Sequence, residues 1–325
     1  VIKNKIINSK KVAVIILNYN GWKDTIECLE SLQKIDYPDY LMVVVDNASS
    51  DGSIEKIKSW AEGKLKVVEY EKEIAEQGGI EELEEELQKY PNDKKIVLIK
   101  NNANLGYSAG NNAGAKYAVK RDYDYIILLN NDTIILEETF IKKLAEPFEY
   151  NEKIFVVGPK IVTPSGNYDG PYIYETFWGE VLGLTIKNQF HKLLRRNPVY
   201  IDVSAISSSK PVSVYKISGA CIAFKASFLK ETGYLDENVW LSCEEAIIAE
   251  RVLKKGGKIY FQPLTKIIHK RARSPRSDKS KIGILKNHFK QRRYFLETYR
   301  EYGPYKMALI KMMHNLRLLL EHIRT

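Results

Sequence analysis

Along this chain, short continuous apolar runs that end in polar residues and glycine alternate with segments whose apolar residues recur at helical spacing. KVAVIILNYNG (11–21) is a β-branched run of the first kind, and WKDTIECLESLQKI (22–35) answers it with Trp22, Ile26, Leu29 and Leu32 on one helical face. LMVVVDNASSDGS (41–53) repeats the plan, with Asp51, Gly52 and Ser53 suited to a turn and a helix start. The same signals predict strands over 94–102, 125–133 and 153–166, a helix within 102–124 and another over 136–148, and strand then helix over 214–229. A loop, a helix and a strand close the body across 231–263. This alternation predicts βαβ units, right-handed crossovers and a mostly parallel sheet, hence an α/β fold.

Residues 69–95 interrupt the rhythm with ten acidic residues against four lysines. GIEELEEELQKY (79–90) reads as an exposed charged helix, so the segment is expected to be an acidic surface insertion between strands. Aromatic residues crowd 168–178, and ISSSKP (206–211) reads as a mobile loop.

At 325 residues, 44% hydrophobic and 28% charged, the composition is globular and sufficient for one large α/β domain with an appendage. The net charge of +9 is uneven: from Leu264 onward 16 Lys+Arg face 4 Asp+Glu, a net of +12 that leaves −3 for residues 1–263. Beyond the hydrophilic stretch KRARSPRSDKSK (270–281), residues 282–325 alternate apolar and basic residues at helical spacing. Helices of that kind lie on anionic membranes or pack on a body, and without a recognisable reader module no nucleic-acid partner is expected. No run approaches the roughly 18 apolar residues of a membrane span, and no signal-peptide pattern is seen. Cys28, Cys221 and Cys243 are too scattered for a disulfide framework or a thiolate metal site. The expected location is cytoplasmic, with peripheral contact to the inner face of the cell membrane.

The chemistry concentrates at strand ends. YIILLNNDT (125–133) runs an apolar strand into Asn130, Asn131, Asp132 and Thr133, and polar groups at such an end face a crevice rather than a core. Asp132 suits a hard divalent cation that keeps water and phosphate oxygens among its ligands, since one carboxylate does not hold such an ion alone. Asp46 ends the second strand, where a carboxylate can accept a hydrogen bond from a base, and Asn18, Tyr19 and Asn20 add amides and an aromatic face. A turn-and-cap reading accounts for Asp51 but leaves Asp46 unexplained. In NLGYSAGNNAG, Gly106, Gly110 and Gly114 permit close backbone approach, either of a phosphate to a helix start or of the helix to the sheet. Dinucleotide-binding, P-loop and zinc-site spacings are all missing.

Through ILNYNG, VVDNASSDGS, NLGYSAGNNAG, LLNNDT, SGACIAFK and GYLDENVWLSCEEAIIAERVLKKGGKI, in order from about Lys11 to Lys270, the sequence resembles the family 2 glycosyltransferases. These are inverting enzymes of the GT-A fold, and the resemblance is greatest to rhamnosyltransferase-type members. It implies a GT-A-type nucleotide-binding α/β sandwich over 1–270, with a basic extension of amphipathic helices over 271–325. It implies donor contacts from Asn18, Tyr19, Asn20 and Asp46, with Asn47 and Ser49, and from Asn104, Gly106, Tyr107, Gly110 and Asn111. Asn130, Asn131 and Asp132 occupy the family's D-x-D position, with Mn2+ or Mg2+ implied at Asp132 and His269. Glu244 and Glu245 match the late acidic pair, with Glu245 at the position of the base. Two positions depart from the pattern: the D-x-D keeps only its last acid, and the base is Glu rather than Asp. Trp240, Trp178 and Tyr172 are candidate acceptor contacts.

The implied reaction moves a sugar from a UDP- or dTDP-linked donor to a hydroxyl of a glycan or lipid-linked acceptor, with inversion at the anomeric carbon. A nucleotidyltransferase and a non-catalytic sugar-nucleotide-binding scaffold are the alternatives, the latter raised by the two departures.

Overall fold

The apolar runs become strands because both faces of the sheet they enter are covered: Val12 to Ile16 and Met42 to Val45 are wholly buried. The computed structural model describes residues 10–182, 209–270 and 281–324. Within them β1 (Val12–Asn18), β2 (Tyr40–Asp46), β3 (Lys66–Glu71), β4 (Lys95–Lys100) and β5 (Tyr125–Asn130) run parallel in the order β3-β4-β2-β1-β5. β6 (Thr133–Ile135), β7 (Ile154–Val162), β8 (Val212–Val214), β9 (Cys221–Lys225) and β10 (Lys258–His269) extend the sheet as β5-β9-β7-β10-β6, with β8 on β10. β9 is antiparallel to both β5 and β7, whereas β7 and β10 are parallel.

Alternate residues of each strand point to opposite faces, so the core divides in two. Val12, Val14 and Ile16 meet Leu29 of α1 (Trp22–Leu32), Ile57 of α2 (Ser53–Ala61) and Phe140 of α6 (Phe140–Ala145) in one cluster. Ala13 and Ile15 join Ala113 and Tyr117 of α5 (Gly106–Lys120), Phe228 of α8 (Ala226–Glu231) and Ile248 of α9 (Glu244–Lys254) in the other. The chain places β2 on one side of β1 and β5 on the other, and it is over the carboxyl ends of strands at such a reversal that open α/β sheets bind their ligands.

Two expectations change. Residues 69–95 are not a surface insertion: β3 is the parallel edge strand of the sheet, and α3 (Lys72–Ala75) and α4 (Glu81–Gln88) follow it. α4 is charged but not wholly exposed, because Leu87 and Glu84 are buried. The Glu84 carboxylate accepts hydrogen bonds from Tyr70 and Tyr117 at 2.9 Å, and burial pushes its pKa up. The helix expected over 136–148 is shorter: after Ala145 the chain tightens into a 3-10 turn (Glu146–Glu149) where Pro147 cannot continue an α-helix.

Near the carboxyl end, α7 (Phe177–Leu182), α10 (Lys281–Thr298) and α11 (Pro304–Arg324) gather on α9. Phe295, Leu296, Met307 and Ile310 pack against Cys243, Ala246 and Ile247. Gln291 Oε1 accepts the backbone N–H groups of Trp240 and Leu241 at 2.8 and 3.1 Å, and Asp236 accepts the hydroxyls of Tyr294 and Tyr299. His314 is a packing residue, stacked on Phe289 with ring centroids 4.0 Å apart. The three cysteines are buried and unpaired. Among the described residues no helix is long and apolar enough to cross a membrane. His191, residues 206–208 of the expected loop and residues 271–280 of the hydrophilic stretch lie outside the described residues.

Candidate active site

Asn18 and Asp46, register partners at the ends of β1 and β2, are both wholly buried. Asn18 Nδ2 donates to Asp46 Oδ1 at 2.7 Å, while Ser49 gives Asp46 its backbone N–H at 2.9 Å and its hydroxyl at 2.7 Å. These bonds account for the carboxylate that the turn alone left unexplained: it closes the loop after β2 and offers no surface to the crevice in this conformation. The loop instead presents Tyr19, 37% exposed, and Asn20, whose φ of 52° is held by the hydrogen bond from Ser50 N–H to its side-chain oxygen. Asn47 is a clasp between loops. Its amide donates to Asn104 Oδ1 and to the Gly106 carbonyl, both at 3.0 Å, and its oxygen accepts from Asn101 and from the N–H of Leu105.

The glycines of α5 separate into two roles. A β-carbon on Gly110 or Gly114 would lie 2.8 Å from Leu17 or Ile15, so these two let the helix press onto the sheet. Gly106 differs. At φ +78° it approaches the Trp240 backbone so closely that a β-carbon would stand 2.4 Å from that carbonyl oxygen, which accepts the Tyr107 N–H at 2.8 Å. The neighbouring Asn111 gives its amide to the Tyr107 carbonyl at 2.9 Å, and its own oxygen is buried with no hydrogen-bond partner.

Of the three residues at the D-x-D position, only Asp132 meets the other expected metal ligand. Its Oδ1 lies 3.2 Å from His269 Nε2, because His269 ends β10 opposite Thr133. Asn131 turns away, donating to Thr25 Oγ1 at 3.1 Å at the start of α1, and Asn130 is tied through its backbone to Ala220 and Thr133. On the far side of the imidazole, Asp169 Oδ2 stands 3.5 Å from Nδ1. Asp169 is itself held by the Tyr172 hydroxyl at 2.7 Å and the Ser218 hydroxyl at 3.2 Å. Burial on its own lowers the His269 pKa, but the two flanking carboxylates outweigh it and raise the pKa to about 9.

This donor set fits a divalent cation. No cluster of three His, Cys, Asp or Glu side chains among the described residues could hold an ion unaided, so Asp132 and His269 would need phosphate oxygens or water as further ligands. Asp169, behind the ring, stands where the orienting carboxylate of a metal-bound imidazole is normally found.

Glu244 and Glu245 open α9 and diverge, as residues about 100° apart on a helix must. Glu245 Oε1 accepts the backbone N–H of Gly219 at 3.1 Å. Glu244 is buried, and that burial, followed by the charge of Glu245, pushes its pKa up to about 8. The Gly219 carbonyl accepts the Tyr107 hydroxyl at 2.8 Å. Three consecutive residues before β9 thus join the parts of the site: Ser218 holds Asp169, Gly219 holds Glu245 and Tyr107, and Ala220 holds Asn130.

Sequence reasoning named neither Ser218, Gly219 nor Asp169 as site residues. SGACIAFK carried a signal for the first two as one of the ordered motifs; Asp169 had none, standing alone in an aromatic stretch. Tyr172 reaches the site through Asp169, and Trp240 through its carbonyl. Trp178 is not brought to it by any described contact: 63% exposed, it lies beside Phe177 with centroids 5.1 Å apart.

Comparison with known proteins bears on the fold. Solved structures of similar fold include the mannosyltransferase PcManGT from Pyrobaculum calidifontis, in complex with GDP-Man and Mn2+, at 14% identity over 96% of this chain and 73% of that one, with a TM-score of 0.54. GalNAc-T7 with UDP, GalNAc and Mn2+ is 17% identical over 95% of this chain, which spans 55% of its length, with a TM-score of 0.56. S. aureus TarS 1–349 with UDP is 15% identical, covering 93% and 70% of the two chains, with a TM-score of 0.52. At such identities the likeness is one of fold. No curated protein matches the sequence significantly. The model of the family described as glycosyl transferase family 2 matches residues 13–79 and 74–213, more than half of the chain. With its GT-A-like sheet and ordered strand-end motifs, this chain therefore belongs to glycosyl transferase family 2, and it is a glycosyltransferase.

Proposed function

We propose that this enzyme transfers a sugar, with inversion, from a UDP- or dTDP-linked donor to a hydroxyl of a glycan or lipid-linked acceptor. The observation that carries the reading is the Ser218–Ala220 segment, which ties Asp169 behind His269, Glu245 and the end of β5 into one rim of the crevice. The nucleotide and nucleotide-sugar complexes of the similar folds support a nucleoside-diphosphate donor.

In this reading Tyr19, Asn20 and the loop after β2 receive the nucleoside. Asp132 and His269 would hold Mn2+ or Mg2+, which would supply countercharge for the leaving diphosphate. Glu245 accepts the proton of the acceptor hydroxyl as its oxygen attacks the anomeric carbon from the face opposite the departing diphosphate, so one bond forms as one breaks. Gly219 steadies Glu245 through its N–H. Glu244, its pKa pushed up by burial and by the charge of Glu245, adds less negative charge beside it than an ordinary carboxylate would.

Transfer and donor hydrolysis measured across UDP, dTDP and GDP sugars, with Mn2+ or Mg2+, test this against Glu245→Gln and Asp132→Ala. Turnover lost in both variants supports it. Pyrophosphate release from a nucleoside triphosphate would favour a nucleotidyltransferase, and donor binding without turnover a scaffold.

A further inference from the structure

We propose that the outer face of α11 docks this protein on an anionic lipid bilayer. α11 has two opposed faces. Met307, Ile310, His314 and Glu321 are buried on the inner one. Opposite them, Tyr305, Met312, Leu316, Leu319 and Ile323 form an exposed stripe about 27 Å long at 1.5 Å per residue, with Leu309, between Tyr305 and Met312, partly buried against the Phe295 cluster. Tyr305 is 91% exposed, Met312 57%, Leu319 56% and Ile323 72%. Scattered apolar residues on a surface need no partner, but a continuous line of large ones along one helix does.

Charge selects the partner. Of the cations of α11, Lys311 is exposed, Lys306 is exposed beside the Phe177 and Tyr302 rings, and Arg317 pairs at 3.9 Å with the helix's single acid, Glu321, which is turned inward and only 4% exposed. On the neighbouring α10, Lys286 and Lys290 are exposed as well. An apolar stripe on a helix whose exposed charges are Lys306 and Lys311, with no acid facing outward from it, matches the headgroup boundary of an anionic membrane. It matches a second copy of the same helix poorly. The positions flanking the stripe are Lys306, Ala308, Asn315, Leu320 and His322, which offer an identical helix no acid to pair with. Because the stripe lies opposite the face packed on the body, docking requires no part of the hairpin to unfold.

Co-sedimentation of the full chain with vesicles tests this, comparing phosphatidylglycerol/phosphatidylcholine mixtures with phosphatidylcholine alone. The expected result is binding to the anionic vesicles only, weakened by salt. Leu316→Glu/Leu319→Glu/Ile323→Glu should abolish it, and Lys306→Gln/Lys311→Gln should weaken it about 30-fold, roughly fivefold per cation. Thermal midpoints confirm that both variants fold, and turnover of a soluble donor should be unchanged in both, which separates this test from that of the proposed reaction. Failure to bind anionic vesicles would overturn the proposal, as would equal binding to neutral ones or binding indifferent to the triple variant. A wild-type dimer that the triple variant dissociates, without any vesicle binding, would assign the stripe to a second copy instead.

Discussion

Gly219 gives its backbone N–H to Glu245 Oε1 at 3.1 Å, and a β-carbon on Gly219 would stand 2.9 Å from that same oxygen. Gly219→Ala should therefore push aside the end of a flexible side chain, at little cost in stability, while moving the proposed base off its mark. Misplacing a reacting group by about 1 Å costs on the order of 100-fold in rate. The check is kcat against thermal midpoint: a large fall in the first with a shift of no more than a few degrees in the second.

Glu244 makes stability depend on pH. Its carboxyl, raised from 4.5 to about 8 by burial and by Glu245, keeps its proton in the folded state where the unfolded chain has lost it. The folded state therefore binds the extra proton, and stability falls as pH rises from about 4.5 to about 8, then levels off. Glu244→Gln should flatten this part of the profile and stabilise the protein most at the alkaline end. Thermal midpoints at successive pH values test it; an unchanged slope in the variant refutes it.

Asp169 Oδ2 stands 3.5 Å behind the ring that bears Nε2 toward Asp132. Asp169→Asn should weaken Mn2+ binding in the presence of UDP by about 10- to 100-fold, the usual effect of losing an orienting partner. Asp132→Ala should weaken it further. Titration calorimetry measures both without relying on turnover.

Gly106→Ala meets backbone rather than a mobile side chain. The positive φ and the 2.4 Å approach to the Trp240 carbonyl should together cost about 1–3 kcal/mol, and the Tyr107–Trp240 hydrogen bond should open. Denaturant unfolding gives the cost, and the contrast with Gly219→Ala is itself diagnostic.

Gln291→Ala leaves the N–H groups of Trp240 and Leu241 without their acceptor, a loss of about 1–3 kcal/mol. Amide exchange at those two residues should quicken more than exchange in β1. Equal exchange in variant and wild type would mean that α10 does not steady this loop.

Much of the sheet was legible because strand burial is a local property. Val12 to Ile16 read as a buried strand from their own side chains, and Asp132 announced a crevice by standing at the end of such a run. Glu84 shows the limit. In a helix dense with glutamates, only its register toward Tyr70 and Tyr117 decides that this one is inside.

By itself the sequence determined the alternation of strand and helix, the strand ends that carry polar chemistry, the acidic pair at Glu244 and Glu245, and the basic character of the last helices. All of these are written in residues near one another along the chain. Only the tertiary structure decided that Asp46 closes its loop, that Asp169 stands behind His269, that Gly219 grips Glu245, and which face of α11 is left outside. Those relations join residues from separate strands and loops, and the packing of β9 between β5 and β7, with α9 on β10, is what brings them within hydrogen-bond reach.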